Sequence, residues 1–214
     1  MPAHSLDVRR PLDRLGAVHA FERVAATLAL VALAPLWAAV ATVIVILSRR
    51  SPLVCHMRVG RRAEPLPMLK FRTMWNPSEA PGRWLPIERV SGEIPSSKSQ
   101  CDERIPSRFA AFCRRCSLDE LPQLYHVVRG EMSLVGPRPI TRRELDEHYA
   151  GCQEEVLSCR PGITGLWQVM GRNRLTYAQR RRLDLLFARK ASPRMYFVIL
   201  MRSVPAVLGG KGAF

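Results

Sequence analysis

Two adjacent acids, Asp119 and Glu120, stand out because the chain around them is strongly basic, with Arg114 shortly before them. Ser117 and Glu120 have the spacing of a capping box, in which Asp119 would be only a favourable acid in the first helical turn. Pro122 fits such a helix poorly, because it falls past the positions where proline is tolerated. A carboxylate at a helix start beside arginines should stay ionised at pH 7, which suits a nucleophile or a metal ligand. The pattern alone leaves a helix cap and a catalytic pair equally open.

Several arginines are candidates for binding phosphate, because each lies beside a turn, a proline or the acid pair. They are Arg72, Arg114, Arg138, Arg160 and Arg172. Each alone is more often a surface charge, but arginine binds phosphate through two parallel hydrogen bonds. The prolines on both sides of Arg138 hold its backbone extended. Together, on rigid turns, these arginines resemble a site for a diphosphate.

Two further residues belong to the candidate site. Lys70 and Arg72 alternate in the extended run at 66–74, so they are predicted to share one face of a strand. Asp184 follows Arg180 and Arg181 on a predicted helix, where an ordinary salt bridge between helical neighbours is the simplest interpretation.

Composition limits the class of protein. The chain has 214 residues, of which 47% are hydrophobic, enough for one globular domain with a core. Its net charge of +15 indicates an anionic partner, such as nucleic acid, an anionic membrane surface or a phosphorylated substrate. The six cysteines are interpreted as reduced thiols, because a chain of this length needs no disulfides to fold. A zinc site is disfavoured by the loose spacing of its candidate ligands, which are Cys113, Cys116, Cys152 and Cys159.

The segment 24–47 contains 24 residues without a charge and has Pro35 near its centre. A straight helix of that length would cross a bilayer, and a buried core helix is the other simple interpretation. Arginines flank the segment on both sides, and such flanks favour the cytoplasmic face. Because a proline inside a helix produces a kink, we expect a re-entrant helix that bends at Pro35 and returns to the same side. Residues 9–23 are predicted to form an amphipathic lead-in on the membrane surface.

The rest of the chain must position the acids and arginines. The sequence predicts a loop over 75–100, and tight turns at 160–165 and 171–173. Helices are predicted over 105–116, 121–128, 141–156, 176–190 and 194–208, the last suited to a membrane surface. We therefore expect an α+β fold that is mostly helical with short β elements and interfacial amphipathic helices. A membrane-associated segment at 1–50 and a catalytic domain at 51–214 would form one unit.

The run RRCSLDELPQLYHVVRGEMSLVGPRP at 114–139 resembles the core signature of the bacterial sugar transferase family. These are the monotopic polyprenyl-phosphate phosphoglycosyl transferases, and this chain is similar to their short form with a catalytic domain only. Further similar pieces, in the same order as in the family, are KFRTM at 70–74, RPGITGLWQVMGRN at 160–173, LDL at 183–185 and GKGAF at 210–214. The chain departs from the family where Ala34 precedes the membrane proline, at Cys116, and around His56 and Met57.

The resemblance implies a reaction and roles for residues. A UDP-sugar would give its sugar-1-phosphate to a polyprenyl phosphate, such as undecaprenyl phosphate, and UMP would leave. Asp119 would be the nucleophile, and Glu120 would act as a base or hold Mg²⁺ together with Asp119. Asp184 would hold an arginine or contact the substrate. Phosphates would be bound by Lys70, Arg72, Arg114, Arg138, Arg160 and Arg172.

The resemblance also implies a place in the cell, the cytoplasmic face of the bacterial inner membrane, and the first membrane step of exopolysaccharide, O-antigen or glycoprotein glycan assembly. Partners would include anionic lipids, and a homo-oligomer or glycan-assembly proteins are compatible with it. The alternative function is a non-catalytic, membrane-anchored relative in a glycan assembly complex. A nucleic-acid binder rests on the net charge only, and the apolar segment argues against it.

Overall fold

The computed structural model describes residues 15–76, 87–90, 105, 107–171 and 174–208. It shows an α+β fold with mostly helical structure and short strands, as predicted. Arg172, most of the predicted loop at 75–100, the C-terminal GKGAF and the start of the predicted lead-in at 9–14 lie outside the described residues.

Two helices form a bent pair at the N-terminal side. Helix α1 covers Gly16–Ala32 and helix α2 covers Ala34–Ser48. They meet at Leu33, whose backbone lies at φ −90° and ψ 1°, and their axes bend by 60°. The kink was predicted at Pro35, but Pro35 is the second residue of α2, where a missing N–H breaks no helical hydrogen bond. The break therefore precedes the proline by two residues.

The bent pair is apolar on its outer face. On α1 the exposed apolar side chains are Phe21, Val24, Leu28 and Val31, each at least 60% exposed. No single helix in the described part of the chain has the length and apolar character to cross a membrane, whereas α1 and α2 together meet that criterion as a bent pair. Helix α1 starts well before the apolar run, so Glu22 and Arg23 lie inside it.

A three-stranded sheet follows. Strand β1 (Leu53–Val59) pairs with antiparallel β2 (Pro65–Phe71), and the short β3 (Glu88–Arg89) runs parallel to β1. In this register Lys70 lies opposite Val54, at one end of the β1–β2 hairpin. The turn with Arg61 lies at the other end.

A second, two-stranded sheet corrects one prediction. Strand β4 (Ser133–Val135) pairs in parallel with β5 (Gly162–Thr164), so half of the turn predicted at 160–165 is a strand. A Cβ at Gly162 would lie 2.1 Å from the backbone nitrogen of Gly136. Glycine is therefore required here because two backbones meet, rather than because the chain turns.

The remaining elements are helices α3 (Arg108–Arg115), α4 (Leu124–Arg129), α5 (Arg142–His148), α6 (Gln153–Leu157), α7 (Leu166–Met170), α8 (Tyr177–Lys190) and α9 (Pro193–Leu208), with a 3-10 helix at Leu118–Gln123. The single helix predicted at 141–156 is wrong, because α5 and α6 are separated by a turn. Gly151 in this turn has φ 78°, which an α-helix does not accept.

The bent pair packs against the rest of the protein. Helix α1 lies against α4, and Ala26 joins a core with Met68, Val127 and Met132. Glu22 is 1% exposed and accepts hydrogen bonds from Ser133 Oγ at 2.8 Å and from the Leu134 N–H at 2.9 Å. The hydroxyl of Tyr196 on α9 also donates to Glu22. This charged contact fixes α1 to the second sheet and to α9.

Candidate active site at the acid pair

The backbone before the acid pair excludes the capping-box alternative. Ser117 adopts a left-handed conformation with φ 55°, and its side chain makes no capping hydrogen bond. The Glu120 N–H donates to the Ser117 carbonyl at 3.1 Å, which starts the 3-10 helix. Pro122 lies inside that short helix rather than in an α-helix, which explains why it fitted the capping box poorly. The carboxylate of Glu120 instead faces Lys70 on β2.

Lys70 on β2 joins the two acids. Its Nζ lies 2.9 Å from Glu120 Oε1 and 3.9 Å from Asp119 Oδ2. All three side chains are largely shielded, with exposed fractions of 18% for Lys70, 10% for Asp119 and 22% for Glu120. One ammonium faces two carboxylates, so the cluster is one negative charge in excess before any ligand arrives. Shielding from water strengthens these interactions.

Helix α3 leads into the acid pair and supplies Arg114. Its Nε is buried and has no hydrogen-bond partner in the described part of the chain. One residue earlier, Cys113 is fully buried, and burial, with the negative charge of Asp119, raises the pKa of its thiol to about 11. The thiol is therefore neutral at pH 7. Among the residues described, every cysteine is a free thiol.

Arg72 lies near the same end of β2 but makes contacts that hold the fold. Strand β2 ends at Phe71, so the alternation expected for Lys70 and Arg72 does not continue to Arg72. The Arg72 Nε donates to the Ser51 carbonyl at 2.8 Å, and Nη2 lies 2.6 Å from Glu88 Oε2. The side chain is 5% exposed overall. It links the end of the bent pair to β3.

Arg138 belongs to a stack of arginines and aromatic rings. Its guanidinium carbon lies 5.7 Å from the centre of the Trp167 ring. Arg180 lies 4.8 Å from Trp167 and 5.1 Å from Tyr177, whose ring stacks on His148. Such contacts hold a guanidinium in place without neutralising its charge.

Asp184 is buried rather than on the helix surface, so the predicted surface salt bridge is wrong. It is 1% exposed, and Oδ2 accepts a hydrogen bond from the Tyr149 hydroxyl at 2.8 Å. Its Oδ1 has no partner among the described residues. Burial raises the pKa of Asp184 to about 7, although the Tyr149 hydrogen bond and the charges of Arg138 and Arg180 act in the opposite direction.

Arg160 lies apart from the acid pair. Its guanidinium is 3.9 Å from the point where a Cβ on Gly130 would be, beyond the end of α4. Arg61, at the turn of the β1–β2 hairpin, donates to the carbonyl of nearby Ser158 at 2.9 Å. The predicted phosphate-binding residues are therefore spread over several places. Lys70 contacts the acids, and Arg114 ends the helix that leads to them. Arg72, Arg138 and Arg160 lie elsewhere, with Arg160 at the opposite end of the hairpin.

His126 supports the site but was not found from the sequence. It is 2% exposed, its Nδ1 lies 2.6 Å from Glu131 Oε2, and its Nε2 accepts a hydrogen bond from the Leu69 N–H at 3.2 Å. Nδ1 must therefore carry the proton that it donates to Glu131. The contact holds β2 against α4 at Leu69, the residue before Lys70. A histidine five residues before an acid is too common a pattern to have identified this role.

The acid pair fits a magnesium ion that is shared with a substrate. Mg²⁺ prefers oxygen ligands and is commonly held by one or two carboxylates together with substrate phosphates. Asp119 and Glu120 supply two such carboxylates, both facing Lys70. Within the described residues, no group of three or more metal-binding side chains is assembled, so a substrate or water would have to complete the shell.

Comparison with known proteins identifies a matching family. The family described as "Bacterial sugar transferase" matches residues 14–210 of the chain. The "Exopolysaccharide production protein ExoY" of Sinorhizobium fredii is 37% identical over 197 residues, which cover 91% of this chain and 86% of that protein.

Two longer relatives match over a smaller part of their length. The "UDP-galactose-lipid carrier transferase" of Erwinia amylovora is 40% identical over 172 residues, 77% of this chain and 35% of that protein. The "Undecaprenyl-phosphate galactose phosphotransferase" of Salmonella typhimurium is 41% identical over 163 residues, 74% of this chain and 34% of that protein. This chain thus spans about a third of these relatives. The names of the relatives agree with the predicted enzyme class, a transferase of phosphorus-containing groups.

Proposed function

Because the chain belongs to the bacterial sugar transferase family, we propose that it transfers a sugar-1-phosphate from a UDP-sugar to a polyprenyl phosphate. The observation that carries the proposal is the cluster of Asp119, Glu120 and Lys70, shielded from water at the end of the β1–β2 hairpin. These are the residues to which the family motif assigns the chemistry.

The reaction proceeds in two displacements. A carboxylate oxygen of Asp119 forms a bond to the sugar-bearing phosphorus, and the bond from that phosphorus to the bridging oxygen breaks, so UMP leaves with the electron pair. A phosphate oxygen of the polyprenyl phosphate then attacks the same phosphorus, and the Asp119 carboxylate is released. Such a covalent intermediate replaces one difficult transfer between two bulky anions by two easier steps and gives ping-pong kinetics.

Charge is the main obstacle to this attack, because an anionic carboxylate must approach an anionic diphosphate. Lys70 reduces the negative charge of the acid pair, and Arg114 has a buried nitrogen available for a phosphate oxygen. When bound by Asp119 and Glu120, Mg²⁺ would supply further positive charge beside the diphosphate. Glu120, paired with Lys70 at 2.9 Å, keeps the ammonium next to Asp119.

The bent pair would attach the enzyme to the cytoplasmic face of the bacterial inner membrane as a re-entrant element. Its outer face is apolar, and basic residues stand at both ends of the pair, with Arg23 in α1 and Arg49 and Arg50 after α2. This arrangement would place the site where a water-soluble donor and a lipid acceptor can both reach it. Labelling single cysteines at positions 5 and 62 in intact and opened cells tests it, and accessibility from opposite sides would contradict the re-entrant topology.

The names of the relatives indicate which donor sugars to test first. Relatives carry names that specify galactose or glucose, and others are exopolysaccharide production proteins, so UDP-galactose and UDP-glucose are the first donors to test. We also propose that the chain binds anionic lipids and acts together with other glycan-assembly proteins.

The test is UMP release by the full chain in detergent with Mg²⁺, undecaprenyl phosphate and a panel of UDP-sugars. We expect release with at least one donor, labelling of the protein when sugar-phosphate is radioactive, and loss of both after Mg²⁺ is chelated. An active enzyme without a labelled intermediate would contradict the covalent step. An inactive chain with every donor would support the non-catalytic alternative.

A further inference from the structure

Three arginines from distant parts of the chain meet at the turn end of the β1–β2 hairpin. Arg23 on α1 donates from Nε to the Val128 carbonyl at 2.9 Å, near the end of α4. Arg160 lies against Gly130, two residues further on. Arg61 donates from Nε to the Ser158 carbonyl at 2.9 Å, two residues before Arg160. Arg23 and Arg61 each donate to a backbone carbonyl through Nε, on one side of the guanidinium group. The terminal nitrogens lie on the other side. We call Arg23, Arg61 and Arg160 the arginine cluster.

The arginine cluster is not neutralised by the described part of the protein. Arg160 makes no hydrogen bond or ion pair there, and its Nη1 is buried without a partner. Burial and the charges of Arg61 and Arg23 lower the pKa of Arg160, and Glu22 opposes this. Three positive charges therefore face one carboxylate. Glu22 Oε2 accepts three hydrogen bonds, from Ser133, Leu134 and Tyr196, and Oε1 is buried without a partner among the described residues. This single carboxylate can offset only one of the three positive charges.

The arginine cluster is separate from the acid pair. Lys70 lies opposite Val54, and Val59, five residues along β1, leads into the turn with Arg61. At about 3.4 Å per residue, these two positions of the hairpin are about 17 Å apart. One diphosphate cannot reach both ends, so the arginine cluster needs a ligand of its own.

We propose that the arginine cluster binds the phosphate of an anionic phospholipid headgroup. A guanidinium whose outer nitrogens are unpaired matches the geometry of phosphate oxygens. The apolar side chains Phe21 and Val24 are exposed on one face of α1. In the sequence they stand directly before Glu22 and directly after Arg23. A lipid with its acyl chains beside these residues would present its headgroup at the height of Arg23. The inference rests on the membrane attachment in the proposed function but not on the reaction.

The bound headgroup would join the bent pair to the rest of the protein. Arg23 comes from α1, Arg61 from the hairpin turn and Arg160 from the segment before β5. A phosphate that contacts all three would bind a cation of each element at once. It would therefore stabilise the docked arrangement of α1, which is the property to measure.

The experiment compares the melting midpoint of the full chain in nanodiscs of phosphatidylcholine with nanodiscs that also contain phosphatidylglycerol. We expect phosphatidylglycerol to raise the midpoint of the wild-type protein by about 3 °C, as for a ligand that binds only the folded state. The variants Arg160→Gln and Arg61→Gln are expected to lose at least half of that shift. Arg62→Gln is the matched control, because it removes the same charge from the same turn without a contact to Ser158, and it should keep the shift.

Three outcomes would overturn the proposal. They are equal midpoints in both lipids for the wild-type protein, an unchanged shift in both cluster variants, and a loss in Arg62→Gln as large as in Arg61→Gln. A further arm adds inorganic phosphate to phosphatidylcholine discs at constant ionic strength. An equal rise there would assign the cluster to a soluble phosphate instead.

UMP release is measured on the same samples to separate the two proposals. An inactive protein with an Arg160-dependent lipid shift would refute the reaction and keep the lipid site. An active protein without the shift would do the reverse. Loss of the protein from both kinds of disc would contradict the membrane attachment on which both depend.

Discussion

The two ends of the β1–β2 hairpin differ in whether their charged side chains have partners of opposite charge. At one end Asp119 and Glu120 face Lys70, so each charged group has a partner of opposite sign. At the other end Arg160 lies beside Arg61 and Arg23 and has no hydrogen-bond partner in the part of the chain that the structure describes. The acid end therefore contains its own counter-charge, whereas the proposed lipid phosphate would supply the counter-charge of the arginine end.

Asp184 shows why the arginine end needs an external ligand. Both Asp184 and Arg160 bury a polar atom that lacks a partner among the described residues. A buried carboxyl can take up a proton, and the pKa of Asp184 is raised to about 7 by burial. A guanidinium stays protonated even when its pKa falls. Arg160 therefore cannot lose its charge by titration, and a bound anion would add to the partial compensation from Glu22.

The largest effect is expected at the acid end. Changing Asp119→Asn should lower UMP release by about 10³-fold or more, because the amide cannot form the covalent bond to phosphorus. Turnover is measured in detergent with the best donor of the panel. Asp146→Asn is the control, since that exposed acid pairs only with surface groups such as Arg142, and it should keep wild-type turnover. Full turnover in Asp119→Asn would remove the distinction between the two ends.

The next effect concerns the cation of the acid end. Lys70→Met should lower kcat by about 10²-fold, because a preorganised positive charge beside the reacting groups is lost. Lys70→Arg should recover part of the activity, since it restores the charge with a different shape. Lys190→Met, at the exposed end of α8, removes a charge elsewhere and should be neutral. Equal losses in Lys70→Met and Lys190→Met would show that net charge alone matters.

A smaller effect is expected for His126, which positions β2 without touching the acids. His126→Ala should lower kcat about 5-fold with little change in KM, because one hydrogen bond to the Leu69 N–H is lost. His126→Gln offers an acceptor oxygen and should retain more activity than the alanine variant. If both variants lose activity equally, the acceptor role is wrong and packing explains the loss.

The smallest effect is a change in pH dependence at Asp184. The raised pKa keeps this carboxyl protonated up to a pH of about 7 in the folded protein, whereas its ordinary pKa in an unfolded chain is 3.8. Stability from this group is thus fully present below pH 3.8 and falls as pH rises toward 7. In Asp184→Asn, the decrease in melting midpoint between pH 5 and pH 8 should be smaller than in the wild type by about 5 °C. An identical pH dependence would show that Asp184 is already ionised in the folded state.

The sequence predicted the fold class, whereas the site depends on contacts between residues far apart in the chain. The α+β class follows from element lengths and was confirmed. The close position of Lys70 and Glu120 was implied only through the family motif, because no spacing rule connects residues 50 positions apart. The proposed roles of these residues stay predictions.

One local rule and two tertiary contacts explain the features that the sequence did not predict. The bend at Leu33 lies before Pro35, since proline is favourable in the first turn of the second helix. Asp184 seemed paired with helical neighbours, but its partner Tyr149 is 35 positions away. The strand at Gly162–Thr164 depends on a parallel partner, β4, which a short glycine-containing segment cannot reveal.

The contact of Glu22 has a consequence for how the protein is made. Glu22 lies in the first described helix, but its hydrogen-bond donors Ser133, Leu134 and Tyr196 follow 111, 112 and 174 residues later. At a synthesis rate of about 5–20 residues per second, on the order of ten seconds pass before the last donor leaves the ribosome. During that time water or lipid headgroups must solvate the Glu22 carboxylate. The bent pair is therefore synthesised before its partners, and Glu22 can complete its hydrogen bonds only after α9 has been synthesised.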